Sequence, residues 1–215
     1  MPEYEMICCV VNSGQGSKAL KIAKNNGVKG GTIFFGSGTV RNKLLEFLDL
    51  DDVKKEIVLM VTDRETAQAA ASALDSGMSF RKPNHGIAFT VPVSSMFGSK
   101  SCENNIFTED RMVANSMYSA IFTVMYRGCG QNVVDASKEA GARGATIISA
   151  RGSGIHETEM LFAMQIEPEK DIVLILAKND ICADIIASIR AKLDIDSPGA
   201  GIVFTLGLSD TYGLY

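Results

Sequence analysis

Five Gly-x-Gly triplets punctuate this sequence: Gly14-Gln-Gly16, Gly36-Ser-Gly38, Gly128-Cys-Gly130, Gly152-Ser-Gly154 and Gly199-Ala-Gly201. Glycines at this spacing let successive backbone N–H groups converge on an anion, the chemistry of phosphate-binding turns and helix starts. Gly14-x-Gly16 and Gly128-x-Gly130 each stand between an apolar run and a helical pattern, yet neither has a Walker Lys-Ser/Thr ending or a third Rossmann glycine. A tight turn is the simpler account of both. Of the two histidines, His85 lies in the turn-rich Arg81-Lys-Pro-Asn-His-Gly86. His156-Glu-Thr-Glu159 carries metal-capable groups, for which a solvated loop is the alternative. The cysteines, Cys8, Cys9, Cys102, Cys129 and Cys182, are odd in number and form no CxxC pair, so they read as buried small hydrophobes. No nucleophile–base or paired-carboxylate arrangement recurs along the chain, so no catalytic residue and no metal ligand is assigned.

The elements that must position these glycines occur twice. Gly14-Gln-Gly16 precedes Gly128-Cys-Gly130 by 114 residues, as Thr32 precedes Thr146. Lys55-Glu-Ile-Val-Leu59 precedes Lys170-Asp-Ile-Val-Leu174 by 115, and Gly86-Ile-Ala-Phe-Thr90 precedes Gly201-Ile-Val-Phe-Thr205 by the same interval. Solenoid repeats run at roughly 20–50 residues, so a period this long predicts duplicated domains. The expected organisation is a first unit over 1–94, a linker over 95–117 with no counterpart elsewhere, and a second unit over 118–215.

In the first unit, strands are predicted over Tyr4–Val11, Gly31–Phe35, Lys55–Val61 and Ile87–Val93. A helix containing Ala19, Leu20, Ile22 and Ala23 is predicted to stop at Gly27. Thr62-Asp-Arg-Glu65 has the capping-box form and should open a second helix, whose stripe is Ala67, Ala70, Ala71, Leu74 and Met78. The second unit repeats the order, with strands Tyr118–Tyr126, Ala145–Ala150, Ile172–Leu176 and Ile202–Leu206. Its helices carry Val133, Val134 and Ala136, then Cys182, Ile185, Ile186, Ile189 and Leu193. The fold class is therefore α+β: two tandem ferredoxin-like β-α-β-β-α-β units, each a four-stranded antiparallel sheet with two helices on one face. Ile57-Val-Leu-Met-Val61 is apolar on both faces, which predicts that the helix-free face is covered too.

The net charge of −4 argues against a nucleic-acid partner. No apolar run reaches the ~18 residues of a membrane span, and the N-terminal residues lack a signal-peptide pattern, so a cytoplasmic protein is expected.

With these motifs in place, both units resemble the P-II nitrogen-regulatory signalling family. In that family a Thr-headed second strand ends in Gly-x-Gly at the base of a target-touching loop. Thr146 with Gly152-Ser-Gly154 has that spacing, and Thr32 with Gly36-Ser-Gly38 is two residues tighter. A Gly-x-Gly-Lys-Ile-Phe loop entering strand four is similar to Gly199-Ala-Gly201-Ile-Val-Phe204 and, less closely, to Asn84-His-Gly86-Ile-Ala-Phe89. The resemblance implies a homotrimer and an adenine-nucleotide effector (ATP, ADP, AMP or a cyclic nucleotide) held in inter-unit clefts by these two loops. It also implies a target such as a membrane transporter or an enzyme. The chain departs from the pattern where phosphates would be neutralised: the lysine position is Ile87 or Ile202, and Lys82 and Arg151 are the remaining cations near the two loops. The tyrosine that is uridylylated in some members is also absent from both excursions.

Two function classes follow: a ligand-sensing regulator, or a small enzyme or metal-handling protein on the same fold. The 18-residue excursions, Gly36–Val53 and Gly152–Glu169, are either target-touching loops or extensions of the flanking strands.

Overall fold

A computed structural model describes residues 3–39, 52–98, 117–154, 159–161, 164–209 and 211–212. Two compact units divide it, Glu5–Val91 and, for the most part, Pro92–Tyr215.

The first unit runs β1 (Tyr4–Asn12), α1 (Gly16–Asn25), β2 (Gly31–Thr39), β3 (Asp52–Asp63), α2 (Arg64–Met78) and β4 (Ile87–Val93). Its strand order is β4-β1-β3-β2, the ferredoxin-like arrangement. Ile7, Cys9 and Val11 of β1 and Val58 and Met60 of β3 pack with Leu20, Ala67 and Leu74 of the helices in one core. The alternate residues Ile57, Leu59 and Val61 face away from that core and stay half-buried. α1 ends as its glycine predicts, with Gly27 at a φ of +96°. α2 is capped by Asp63, not Thr62: the Asp63 carboxylate accepts from the Thr66 amide at 2.8 Å. β3 continues through Asp63, which leaves Thr62 buried in the strand and moves the cap one residue on.

The second unit contains β5 (Ser95–Phe97), β6 (Tyr118–Tyr126), α3 (Gly130–Glu139), β7 (Thr146–Ser153), β8 (Glu159–Leu161), β9 (Met164–Ile166), β10 (Glu169–Lys178), α4 (Asn179–Leu193) and β11 (Gly201–Leu208). Its order is β7-β10-β6-β11-β5, so its four principal strands repeat the first unit's sequence of neighbours. β7, β6 and β11 each pair antiparallel with their neighbours, with Leu174 opposite both Thr146 and Phe122, and Phe204 opposite Phe122. Val173, Ile175, Ile121, Ile185 and Ile189 build the core under the helices. On the other face Ile172, Val124 and Phe204 are buried as well, and Phe122 stacks on Phe204 at 5.1 Å. β10 thus has the expected double burial at Ile172, whereas on that same face Leu174 is half-buried and Leu176 exposed.

Residues 95–97, placed by sequence in a connecting segment, form a ladder strand on β11. The excursions also differ at their ends. β2 pairs with β3 out to Thr39↔Asp52, so the strand-extension alternative holds there. The second excursion carries its own β8–β9 ladder, with Met160 opposite Gln165. Leu44, Leu45, Phe47, Leu48 and Phe162 lie outside the described residues.

Candidate functional site

In each unit the glycine-bearing segments gather at one end of the sheet. β1 finishes there, β2 leaves, β3 returns and β4 begins, because neighbouring strands alternate in direction. Around that end in the first unit, Gly36 sits opposite Lys55 on the β2–β3 ladder. The Lys55 ammonium reaches across to the Asn12 side chain at 2.6 Å, and the Asn12 amide donates to the Asn84 carbonyl at 3.1 Å. A polar chain therefore links the β2 exit to the loop before β4. In the second unit Lys170, opposite Ala150, lies over the Tyr126 ring at 3.6 Å. Lys170 is 8 % exposed, which makes it the more enclosed of the two lysines.

The first and third glycine triplets do not hold an external anion in this arrangement, because the chain supplies one. The Gly16 amide donates to the Glu56 carboxylate at 2.6 Å, and Glu56 is buried. In the second unit the Gly128 and Gly130 amides both donate to Asp171, at 2.8 and 3.1 Å. A carboxylate from the third strand thus satisfies the orphan donors at the start of α1 and of α3 and complements the helix dipole. Space enforces the pairing: a Cβ on Gly16 would fall 2.6 Å from the Glu56 carboxylate. These acids are the residues that sequence reasoning missed. Their signal was present, since Glu56 and Asp171 sit at the same place in the Lys-acid-Ile-Val-Leu repeat.

The remaining sequence-predicted positions are placed as follows. Thr32, buried, lies opposite Leu59, whereas Thr146 is exposed opposite Leu174. Gly38 continues the β2 ladder opposite Val53. Lys82 and His85 are exposed on the loop before β4, with the His85 ring Nδ1 3.3 Å from the Met78 carbonyl. Gly86 has a φ of +115°, and a Cβ there would fall 2.5 Å from the Val10 carbonyl, so glycine alone fits. Arg151 donates to Glu167 at 2.7 Å in a partly buried ion pair, and the Gly152 amide donates to the Pro168 carbonyl at 3.0 Å. Gly154 follows the end of β7. Gly199 turns with a φ of +84°, and Gly201 opens β11 opposite Met125.

Among the first unit's four strands β4 and β2 are the first and last in order, so Gly36 and Gly86 are at the same end but not adjacent, three strand spacings or roughly 14 Å apart. His156 lies outside the described residues, as does Cys102. Among the described residues, no three of His, Cys, Asp or Glu cluster to hold a metal, and no helix is long and apolar enough to cross a membrane. Of the cysteines described, Cys8, Cys9 and Cys182 are buried and Cys129 is partly so, all as free thiols. Burial, with Cys8 alongside, pushes the Cys9 thiol up to about 12, and burial pushes Cys182 to about 11.

No family model and no curated protein matches this chain. Among solved structures it is similar to Arabidopsis thaliana PII bound to citrate, at 22% identity over 46% of this chain and 82% of that one, with a TM-score of 0.36. It is also similar to the B. subtilis GlnK–ATP complex, at 13% identity over 48% and 93%, TM-score 0.37. A microcompartment protein from Desulfitobacterium hafniense aligns over 96% of both chains at 12% identity, with a TM-score of 0.28. With every TM-score below 0.5, these likenesses do not bear on function.

Proposed function

We propose that this chain is a P-II-like signal-transduction protein, a tandem duplication that regulates a target rather than catalysing a reaction. Its effector is a small anionic ligand, an adenine nucleotide, bound at the glycine-rich sheet ends. Its targets are a transporter or an enzyme engaged through the excursions, and its working state is a homotrimer. The observation that carries the reading is the gathering, in both ferredoxin-like units, of the strand-two and strand-four glycines at the sheet end where Lys55 or Lys170 stands. Regulation fits a chain whose repeat preserves loops and backbone donors but no nucleophile or base.

Thermal unfolding with ATP, ADP, AMP and cyclic dinucleotides tests it. A ligand at a hundred times its Kd stabilises by ~2.7 kcal/mol, which for a chain of this size raises Tm by roughly 5–10 °C. Affinity is expected in the micromolar range or weaker, because Ile87 and Ile202 stand where the family's pattern has lysine and Arg151 is engaged by Glu167. An unmoved Tm with every nucleotide at millimolar concentration would overturn the nucleotide reading.

A further inference from the structure

The two units treat their fourth strands differently. The outer edge of β11 is covered by β5, with Phe97 opposite Val203, Met96 opposite Phe204 and Ser95 opposite Thr205. The Ser94 amide donates to the Thr205 carbonyl at 2.9 Å, and the Ser95 and Thr205 hydroxyls bond at 2.8 Å. Ser94, Ser95, Met96 and Phe97 are all buried, as are Val203, Phe204 and Thr205. Gly98, at a φ of +84°, ends the strand against the Gly201 carbonyl, where no Cβ fits.

Among the described residues, the equivalent edge of the first unit is open. β4 ends its sheet with no described strand outside it, and Ile87, Ala88, Phe89 and Thr90 are exposed, Ile87 at 60 % and Phe89 at 47 %. An uncovered apolar edge strand is a template for another strand, which natural folds otherwise blunt.

The sequence supplies the missing strand, because the start of the segment expected to have no counterpart does have one. Ser94-Ser-Met-Phe-Gly98 follows β4, and 115 residues later Ser209-Asp-Thr-Tyr-Gly213 follows β11. Serine, an aromatic residue and the terminal glycine recur in place. Phe97 is 7 % exposed, whereas Tyr212 is 90 % exposed. The segment after β4 does not fold back on β4; it covers the fourth strand of the other unit. By the same rule the segment after β11 belongs on a β4 edge, and among the described residues of one chain that edge and Tyr212 are both open.

We infer that the segment after β11 of a second copy of this chain adds to β4 as an antiparallel strand, with Tyr212 opposite Ala88 and Thr211 opposite Phe89. The ladder gives affinity through main-chain bonds, and the alternate side chains give register. Tyr212 fills the place that Phe97 holds on β11. Donor and acceptor are different parts of the chain, so the contact is head-to-tail and its finite outcome is a closed ring. This interface requires no effector and stands whether or not a nucleotide binds.

Directly opposed residues of an antiparallel pair have Cα atoms ~4.5–5.5 Å apart, within disulfide reach. Ala88→Cys and Tyr212→Cys both alter exposed side chains, so each full-length variant is expected to fold. Mixed and oxidised, the two are expected to give a disulfide-linked dimer that neither gives alone. The proposal is overturned by a mixture that yields no more dimer than the single variants. It is equally overturned if the Ala88→Cys/Tyr212→Cys chain, when dilute, closes only on itself. A second measurement is amide exchange of residues 87–91, expected to be slow in the full chain and to lose that protection when residues after Leu208 are deleted. Equal exchange in the two forms would also overturn it.

Discussion

At the scale of single residues, the two buried carboxylates explain more of the glycine pattern than an external phosphate does. Removing Asp171 by Asp171→Ala leaves the Gly128 and Gly130 amides without their acceptor, and an unmet buried donor costs about 1–3 kcal/mol. Urea unfolding should show that loss, while Asp171→Asn should recover part of it through its carbonyl oxygen. Asp63 makes a separate prediction about pH. Burial opposes its ionisation, but hydrogen bonds from the Thr66 amide and hydroxyl and from Thr62 outweigh that and lower its pKa. A carboxylate with a depressed folded-state pKa contributes stability above its unfolded value, near 3.9, and loses it as pH falls through the folded value. Acid unfolding of the wild type should therefore contain a component below about pH 4 that Asp63→Ala lacks, the variant being about 1 kcal/mol less stable at neutral pH.

At the scale of elements, β3 and β10 are equivalent in sequence but differ in surroundings. Both bury one face against their helices. On the other face Ile172 is fully buried where Ile57 is half-buried, while Leu174 and Leu59 are both half-buried. If the trimer closes over this face, Leu59→Asp should prevent assembly without abolishing the far-ultraviolet spectrum of folded units, since an unpaired charge in a dry interface costs several kcal/mol. Light scattering showing a fully assembled Leu59→Asp protein would place that strand in solvent. The excursions are strand near their bases: Gly36–Thr39 is paired with β3, so any ligand-driven switch is confined to residues beyond Thr39 and beyond Ser153.

For the whole molecule, the presence of two cores, one around Leu74 and one around Ile189, predicts separable stability. Leu74→Ala should cost its own unit about 2–5 kcal/mol through the cavity it leaves. Calorimetry is expected to resolve a low-temperature transition in that variant, with the Ile189→Ala variant showing the converse. A single cooperative transition shifted equally by either change would mean that the units unfold together, and a two-state treatment would then apply to the entire chain.

What the sequence by itself determined was whatever depends on local periodicity. The alternation of Val58 and Met60 with Ile57 and Leu59 and the stripe from Cys182 to Ile189 were legible because burial on one face requires those periods, while β4 and β6 were legible to the residue as β-rich apolar runs bounded by turn residues. The doubled ferredoxin-like order followed from the 114–115-residue recurrence. Only the tertiary structure decided where the polar groups find partners, because that depends on atoms brought together across the sheet. Glu56 and Asp171 reach back over some forty residues to the helix-start amides, and nothing local marks a charged residue as the one that will be buried. Asp63 rather than Thr62 became the cap because β3 runs one turn of pleat further than its apolar stretch. Ser95–Phe97 became a strand because an open edge 110 residues away in sequence offers unmet backbone groups, a demand that no composition of the segment itself could reveal.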